Sequence, residues 1–108
     1  MGISRSVSVS ITSADTDTTV MSIPHNKIGY VILVEITNGT ASNATVQIWD
    51  TYTDVNGDTH RDLIHKEIVT AGTTSVISYR RKSQHVMGTL VAQSDVAGVD
   101  LIVAVELE

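Results

Sequence analysis

The sequence has no cysteine and no phenylalanine, and only one proline, one tryptophan and three tyrosines among its 108 residues. Each shortage excludes something. Without cysteine there is no disulfide framework, no thiol nucleophile and no cysteine-ligated zinc. With aromatic residues at 4%, the core must be aliphatic, and three dispersed tyrosines make no platform for stacking bases. Positive charge is also scarce: 7 Lys and Arg against 12 Asp and Glu give a formal net charge of -5. Such a chain lacks the basic face that displaces phosphate counterions, so no nucleic acid is expected among its partners. Neither a signal peptide nor a membrane-spanning run is visible, so no membrane is expected either. The lack of cysteine fits a soluble cytoplasmic protein without excluding an extracellular one. The closing Leu107-Glu108 is compatible with a vector scar.

What is present points to strands. Val and Ile dominate the 42% hydrophobic content, and Thr and Ser fill much of the rest. β-branched residues are stiff at χ1 and suit a pleated surface better than a helix. The length is enough for one domain, residues 1–108, with one core.

Along the chain, Ile3, Val7, Val9 and Ile11 alternate with Ser4, Ser6, Ser8 and Ser10, which predicts a half-buried strand with a serine-lined outer face. A short strand over Thr19–Ile23 stops at Pro24, which cannot donate a ladder hydrogen bond. Ile28 to Thr37 is apolar on both faces: Ile28, Tyr30, Ile32, Val34 and Ile36 on one, Val31 and Leu33 on the other. Asn38-Gly39-Thr40 and Asn43-Ala44-Thr45 match the glycosylation pattern but read as turn chemistry. Strands are further expected over Thr74–Arg80, Val86–Gln93 and Val99–Leu107. The fold class is therefore all-β: an eight-stranded antiparallel β-sandwich, jelly-roll or immunoglobulin-like in strand order.

The strongest local signal is Asn56-Gly57 between alternating runs, a type I′ hairpin turn by pattern. A two-residue turn sets Val55 opposite Asp58. Ile48 then faces His65, Trp49 faces Ile64, Tyr52 faces Arg61 in cation–π range, and Asp50 faces Leu63. The last pair is a conflict that a bulge or a longer loop would remove.

Candidate chemistry is sparse. Asp54, Asn56, Asp58 and Asp62 resemble the start of a calcium loop, but Thr59 and His65 stand where such a loop needs Gly and Glu. His60 and His65, five apart in one strand, point to opposite faces and cannot share a metal, so no metal or other cofactor is expected. No Gly-x-Ser-x-Gly elbow occurs, and no catalytic set is expected. The binding candidates are Trp49 and Tyr52 as exposed aromatics and Arg80, Arg81 and Lys82 as the one basic cluster.

The run Lys27 to Asp50, closing on Ala44-Thr45-Val46-Gln47-Ile48-Trp49-Asp50, resembles stretches of small β-sandwich proteins of viruses and tailed phages, of the capsid-decoration and tail-accessory kind. Ile68 to Val76 and Gly98 to Val105 continue the pattern, and similar phrases occur in bacterial surface adhesion modules. The resemblance implies a non-enzymatic virion protein that self-associates and contacts other virion proteins; it assigns no residue a role. Apolar residues on both faces of Val31–Val34 and Leu101–Val103 favour self-association as well. A carbohydrate-binding or adhesive module, using Trp49, Tyr52 and Tyr79, is the alternative.

Overall fold

Strict alternation of serine with aliphatic residues makes the first strand. In β1 (Ile3–Ile11), Val7, Val9 and Ile11 pack on the core while Ser4, Ser6, Ser8 and Ser10 are exposed. The computed structural model describes residues 3–108; Met1, Gly2 and the Ile3 side chain lie outside the described part. After β1 come β2 (Thr18–Ser22), β3 (Gly29–Asn38), β4 (Ala44–Thr53), β5 (Thr59–Val69), β6 (Thr73–Ser78), β7 (His85–Val86), β8 (Thr89–Ser94) and β9 (Val99–Leu107).

All pairings are antiparallel. The first sheet runs β1-β9-β3-β6, with β7 also on β3, and the second runs β2-β8-β4-β5. β1 and β2 therefore belong to different sheets, whereas an immunoglobulin-like order pairs its first two strands. Leaving aside the two residues of β7, the interleaved order is that of a jelly roll. Its core is aliphatic: Val31, Val34 and Ile36 of β3 and Val99, Leu101, Val103 and Val105 of β9 meet Val46 and Ile48 of β4 and Leu90 of β8. Each such side chain contributes about 1.5–3 kcal/mol by leaving water.

Three irregularities redirect side chains away from simple alternation. In β3 the register shifts between Val31 and Leu33, leaving Ile32 as the extra residue, its carbonyl taken by the Tyr79 N–H at 2.9 Å. Val31, Val34 and Ile36 consequently face inward together, and Tyr30 parts from Val34 and Ile36.

In β5 the extra residue is Ile64. Ile48 opposes His65 as expected, but Trp49 opposes Leu63, Asp50 opposes Asp62, Thr51 opposes Arg61 and Tyr52 opposes His60. The three-residue loop at the tip removes the Asp50–Leu63 conflict, and the bulge, lying between the two histidines, brings His60 onto the same face as His65. At the tip, Thr53 still pairs with Thr59. The Asp54 N–H donates to the Asp58 carbonyl at 2.9 Å and the Gly57 N–H to the Asp54 carbonyl at 3.0 Å. The loop is thus Val55-Asn56-Gly57, with positive φ at Gly57 and not at Asn56. It is a three-residue turn rather than the type I′ pair, because one residue in the left-handed region suffices once Gly57 forms the bulge.

The third irregularity splits the expected strand over Val86–Gln93, giving nine strands rather than eight. β7 pairs with β3 in one sheet and β8 with β4 in the other, so the chain changes sheets at Met87-Gly88. Asp50 holds this crossing. It is 2% exposed, and its carboxylate accepts the Met87 and Gly88 N–H groups at 2.8 and 2.9 Å. Gly88 is required there, since a Cβ would lie 2.1 Å from the Thr51 carbonyl oxygen.

The remaining buried polar groups are also partnered. Asn38 is fully buried; its Nδ2 donates to the Ser42 and Val69 carbonyls, and its Oδ1 accepts from Thr40. A glycan could not attach to that amide. Asn43 Oδ1 accepts the Ala71 N–H. Both sequons thus serve the turns. His65 bonds to the Tyr79 hydroxyl through Nδ1 and to Glu67 at 2.7 Å through Nε2, and Ser75 donates to the other Glu67 oxygen at 2.6 Å. This network joins the edge strand β5 of one sheet to the β6 side of the other. Burial and the Glu67 charge raise the Tyr79 pKa.

Candidate functional site: the outer face of the second sheet

Ala44, Val46, Ile48 and Asp50 point into the core, so Thr45, Gln47, Trp49 and Thr51 line the outside of β4. The ladder sets Gln47 between Gln93 and Lys66, Trp49 between Val91 and Leu63, and Thr51 between Thr89 and Arg61. Along β4 the outer face therefore presents hydroxyls, an amide and one indole, flanked by the exposed Leu63 and Ile68 and by Lys66 and Arg61 on β5.

Its centre is held by a chain of contacts. The Arg61 guanidinium lies 4.1 Å from the Trp49 ring centroid. Two Arg61 nitrogens donate to both Asp17 oxygens, at 2.8 and 2.9 Å, and Gln93 Nε2 donates to Asp17 at 2.6 Å. Hydrogen bonds from Arg61 and then Gln93 lower the Asp17 pKa against a smaller opposing effect of burial. The bidentate pair fixes the plane of the guanidinium over the indole. Beside this chain is a shallow hollow of about 240 Å³ lined by Asp15, Thr45, Gln47, Gln93, Ser94 and Asp95. Asp95 also takes the Thr45 N–H at 2.7 Å, which stiffens the rim.

Chemically the face offers planar amides, hydroxyls, carboxylates and a guanidinium-capped indole. Asp15, Asp17 and Asp95 outnumber Arg61 and Lys66, so the electrostatics disfavour an anionic ligand.

The residues singled out from sequence do not gather into one site. Trp49 sits at the centre of this face, half-buried, and takes the Arg61 cation that the expected register gave to Tyr52. Tyr52 stacks on His60 instead, with centroids 4.8 Å apart, and donates its hydroxyl to Asp62. The three-residue turn is the reason, since it moves Arg61 from Tyr52 to Thr51, and the bulge at Ile64 then restores the expected register at Ile48.

The calcium candidates do not converge either. Asp54 accepts the Asn56 and Asp58 N–H groups on one oxygen and His60 Nε2 on the other, at 2.7 Å. Those bonds, His60 first, lower the Asp54 pKa. Asp62 is occupied by Tyr52. Among the described residues no group of three or more His, Asp or Glu is placed to hold a metal ion.

The basic cluster lies elsewhere, at the end of the first sheet. Arg81 meets Glu106 at 3.3 Å, and Lys82 meets Glu108 at 3.0 Å and the Tyr30 ring at 5.9 Å. Lys82 takes a positive φ of 61°. Two of the three cations are thus paired within the chain.

Sequence reasoning missed Arg61, Asp17, Gln47 and Gln93. Gln47 was legible as a polar alternant of β4. Asp17 and Arg61 are 44 residues apart and meet only through the strand order.

The sequence matches no family model and no curated protein. Among solved structures, the chain is similar to the N-terminal CBM22-1 and GH10 modules of a Clostridium thermocellum endo-1,4-β-D-xylanase complexed with xylohexaose, at 16% identity and a TM-score of 0.50. The match covers 80% of this chain and 17% of that one. A likeness at this level is one of fold: an all-β sandwich.

Proposed function

We propose that the protein is a non-enzymatic binding module that takes a neutral glycan on the outer face of the second sheet. The observation carrying this reading is the fixed chain Trp49–Arg61–Asp17–Gln93 beside the polar hollow. Sugars are recognised through hydrogen-bonding groups held in advance at set positions, which lowers the ordering cost of binding. The xylanase modules of similar fold, seen with xylohexaose, make xylo-oligosaccharides the first ligands to try. An extracellular location would follow from such a role.

Xylohexaose and a panel of neutral oligosaccharides titrated against Trp49 fluorescence and by calorimetry test the proposal. Saturable binding that is weakened at least tenfold by Gln93→Ala and by Arg61→Ala supports it. A full panel without saturation, or binding indifferent to both substitutions, overturns it.

A second reading, a virion accessory protein that self-associates and meets other virion proteins, has its own supporting observation. Leu33, Ala104, Ile102 and Val76 lie on or beside the outer side of the first sheet, in rows pairing Leu33 with Ala104 and linking Ile102 through Glu35 to Val76. Val76 is 56% exposed. The jelly roll itself serves both viral capsid and lectin domains. Co-sedimentation with particles would distinguish the virion role from glycan binding.

A further inference from the structure

Every open sheet has edges, and three of the four here carry a defence against pairing with another chain. β2 is five residues long, has a register shift and is followed by Pro24. β5 is bulged at Ile64 and carries Arg61, Asp62, Lys66 and Glu67. β6 is six residues long and runs on toward Arg80, Arg81 and Lys82. Short strands, bulges, prolines and edge charges are the usual means of blocking edge-to-edge association.

β1 has only the last of these, in a single residue. It is nine residues long, regular throughout its pairing with β9, without Pro or Gly, and charged only at Arg5. Among the described residues its other side has no strand partner. Its sequence, Ile-Ser-Arg-Ser-Val-Ser-Val-Ser-Ile, also reads nearly the same in both directions about Val7. An antiparallel pair of identical strands related by a two-fold axis places each residue opposite its mirror position. Centred on Val7, that register sets Ser4 opposite Ser10, Ser6 opposite Ser8, Ile3 opposite Ile11 and Val7 opposite itself. Arg5 falls opposite Val9, so its aliphatic stem can lie on a valine while its charge reaches water. The two Arg5 residues stand four positions apart along the ladder, roughly 13 Å at the strand rise. That is beyond the screening length at physiological salt.

We propose that β1 is a homodimer interface, joining the first sheets of two copies into one continuous sheet through antiparallel β1–β1 pairing about Val7. The outward serines form a hydroxyl ladder across the seam, and main-chain hydrogen bonds supply the attraction. The interface belongs to the other sheet from the glycan face and does not depend on that reading.

Because Ser6 and Ser8 are exposed, charge can be introduced there without touching the core. Sedimentation velocity and light scattering would compare the wild type, Ser6→Lys/Ser8→Lys, Ser6→Glu/Ser8→Glu, and an equal mixture of the two variants, with thermal melts to confirm folding. The proposal expects the wild type at twice its 11.6 kDa mass at millimolar concentration. Each variant alone should be monomeric with an unchanged melt, and the mixture should regain the doubled mass. A monomeric wild type overturns it. So does association that persists in both variants, or a mixture that stays monomeric.

Discussion

Replacing Asp50 with alanine tests the account of the sheet crossing. The Asp50 carboxylate is almost completely buried and accepts two backbone N–H groups at 2.8 and 2.9 Å. Hydrogen bonds to a charged group contribute about 1.5–3 kcal/mol each. Alanine removes both and leaves the Met87 and Gly88 donors without their acceptor, and Gly88 is packed too closely on Thr51 and Tyr52 for water to take over freely. A loss of about 3–5 kcal/mol follows, a large share of the 5–15 kcal/mol that holds a typical domain together. Urea unfolding followed by far-ultraviolet circular dichroism measures it, with an unchanged m-value confirming that stability alone has moved. Asp50→Asn should lose less, since one oxygen still accepts, although its amide then confronts the second donor. Asp62→Ala serves as the control. It sits directly opposite in the ladder but gives up only an exposed bond from Tyr52, and should cost less than about 1 kcal/mol. An Asp50→Ala protein as stable as Asp62→Ala would refute the reasoning.

Other consequences can be measured in the same way. Gly88→Ala should destabilise by at least about 2 kcal/mol, because a methyl cannot fit 2.1 Å from the Thr51 oxygen; chemical denaturation reads this. Asp17 has a lowered pKa, so its contribution is complete above its ordinary value of 3.8 and is lost as pH falls below it. The pair with Arg61 is largely exposed, so the effect on stability is under about 1 kcal/mol. The clearer readout is Trp49 emission, which should change below pH 3.8 in the wild type as Arg61 is released, and much less in Asp17→Asn. Tyr79 has a raised pKa. Its contribution is therefore complete below its ordinary value of 10.0 and is lost as pH rises past it, an alkaline melt that Tyr79→Phe should flatten.

The strands were legible because alternation is a local property. Ser4 to Ile11 and Val99 to Leu107 need only a pleated backbone and one wet face to be read correctly. What sequence could not supply was the positions where alternation slips. Ile32 and Ile64 are apolar residues inside apolar strands, and nothing in their neighbours marks them as extra. A one-residue slip reassigns every later side chain, which is why Arg61 lies over Trp49 and not beside Tyr52. One trace of the longer turn was visible: Asp50 opposite Leu63 was a conflict. The structure resolves that conflict by giving Asp50 a buried task at the Met87-Gly88 crossing. The candidate face was half legible. Trp49 and Gln47 share one strand, but Asp17 and Gln93 reach them only through the jelly-roll order, in which β2 and β5 flank β8 and β4.

The proposed glycan site is the outer face of the second sheet, built on the Trp49–Arg61–Asp17–Gln93 chain. Isothermal titration of xylohexaose and the neutral oligosaccharide panel into the wild type and into Gln93→Ala tests it most directly, since Gln93 lines the hollow and its loss leaves the core intact. The account predicts saturable heat for at least one oligosaccharide, weakened at least tenfold by the substitution. No heat with any of them, or equal affinity in both proteins, would contradict it.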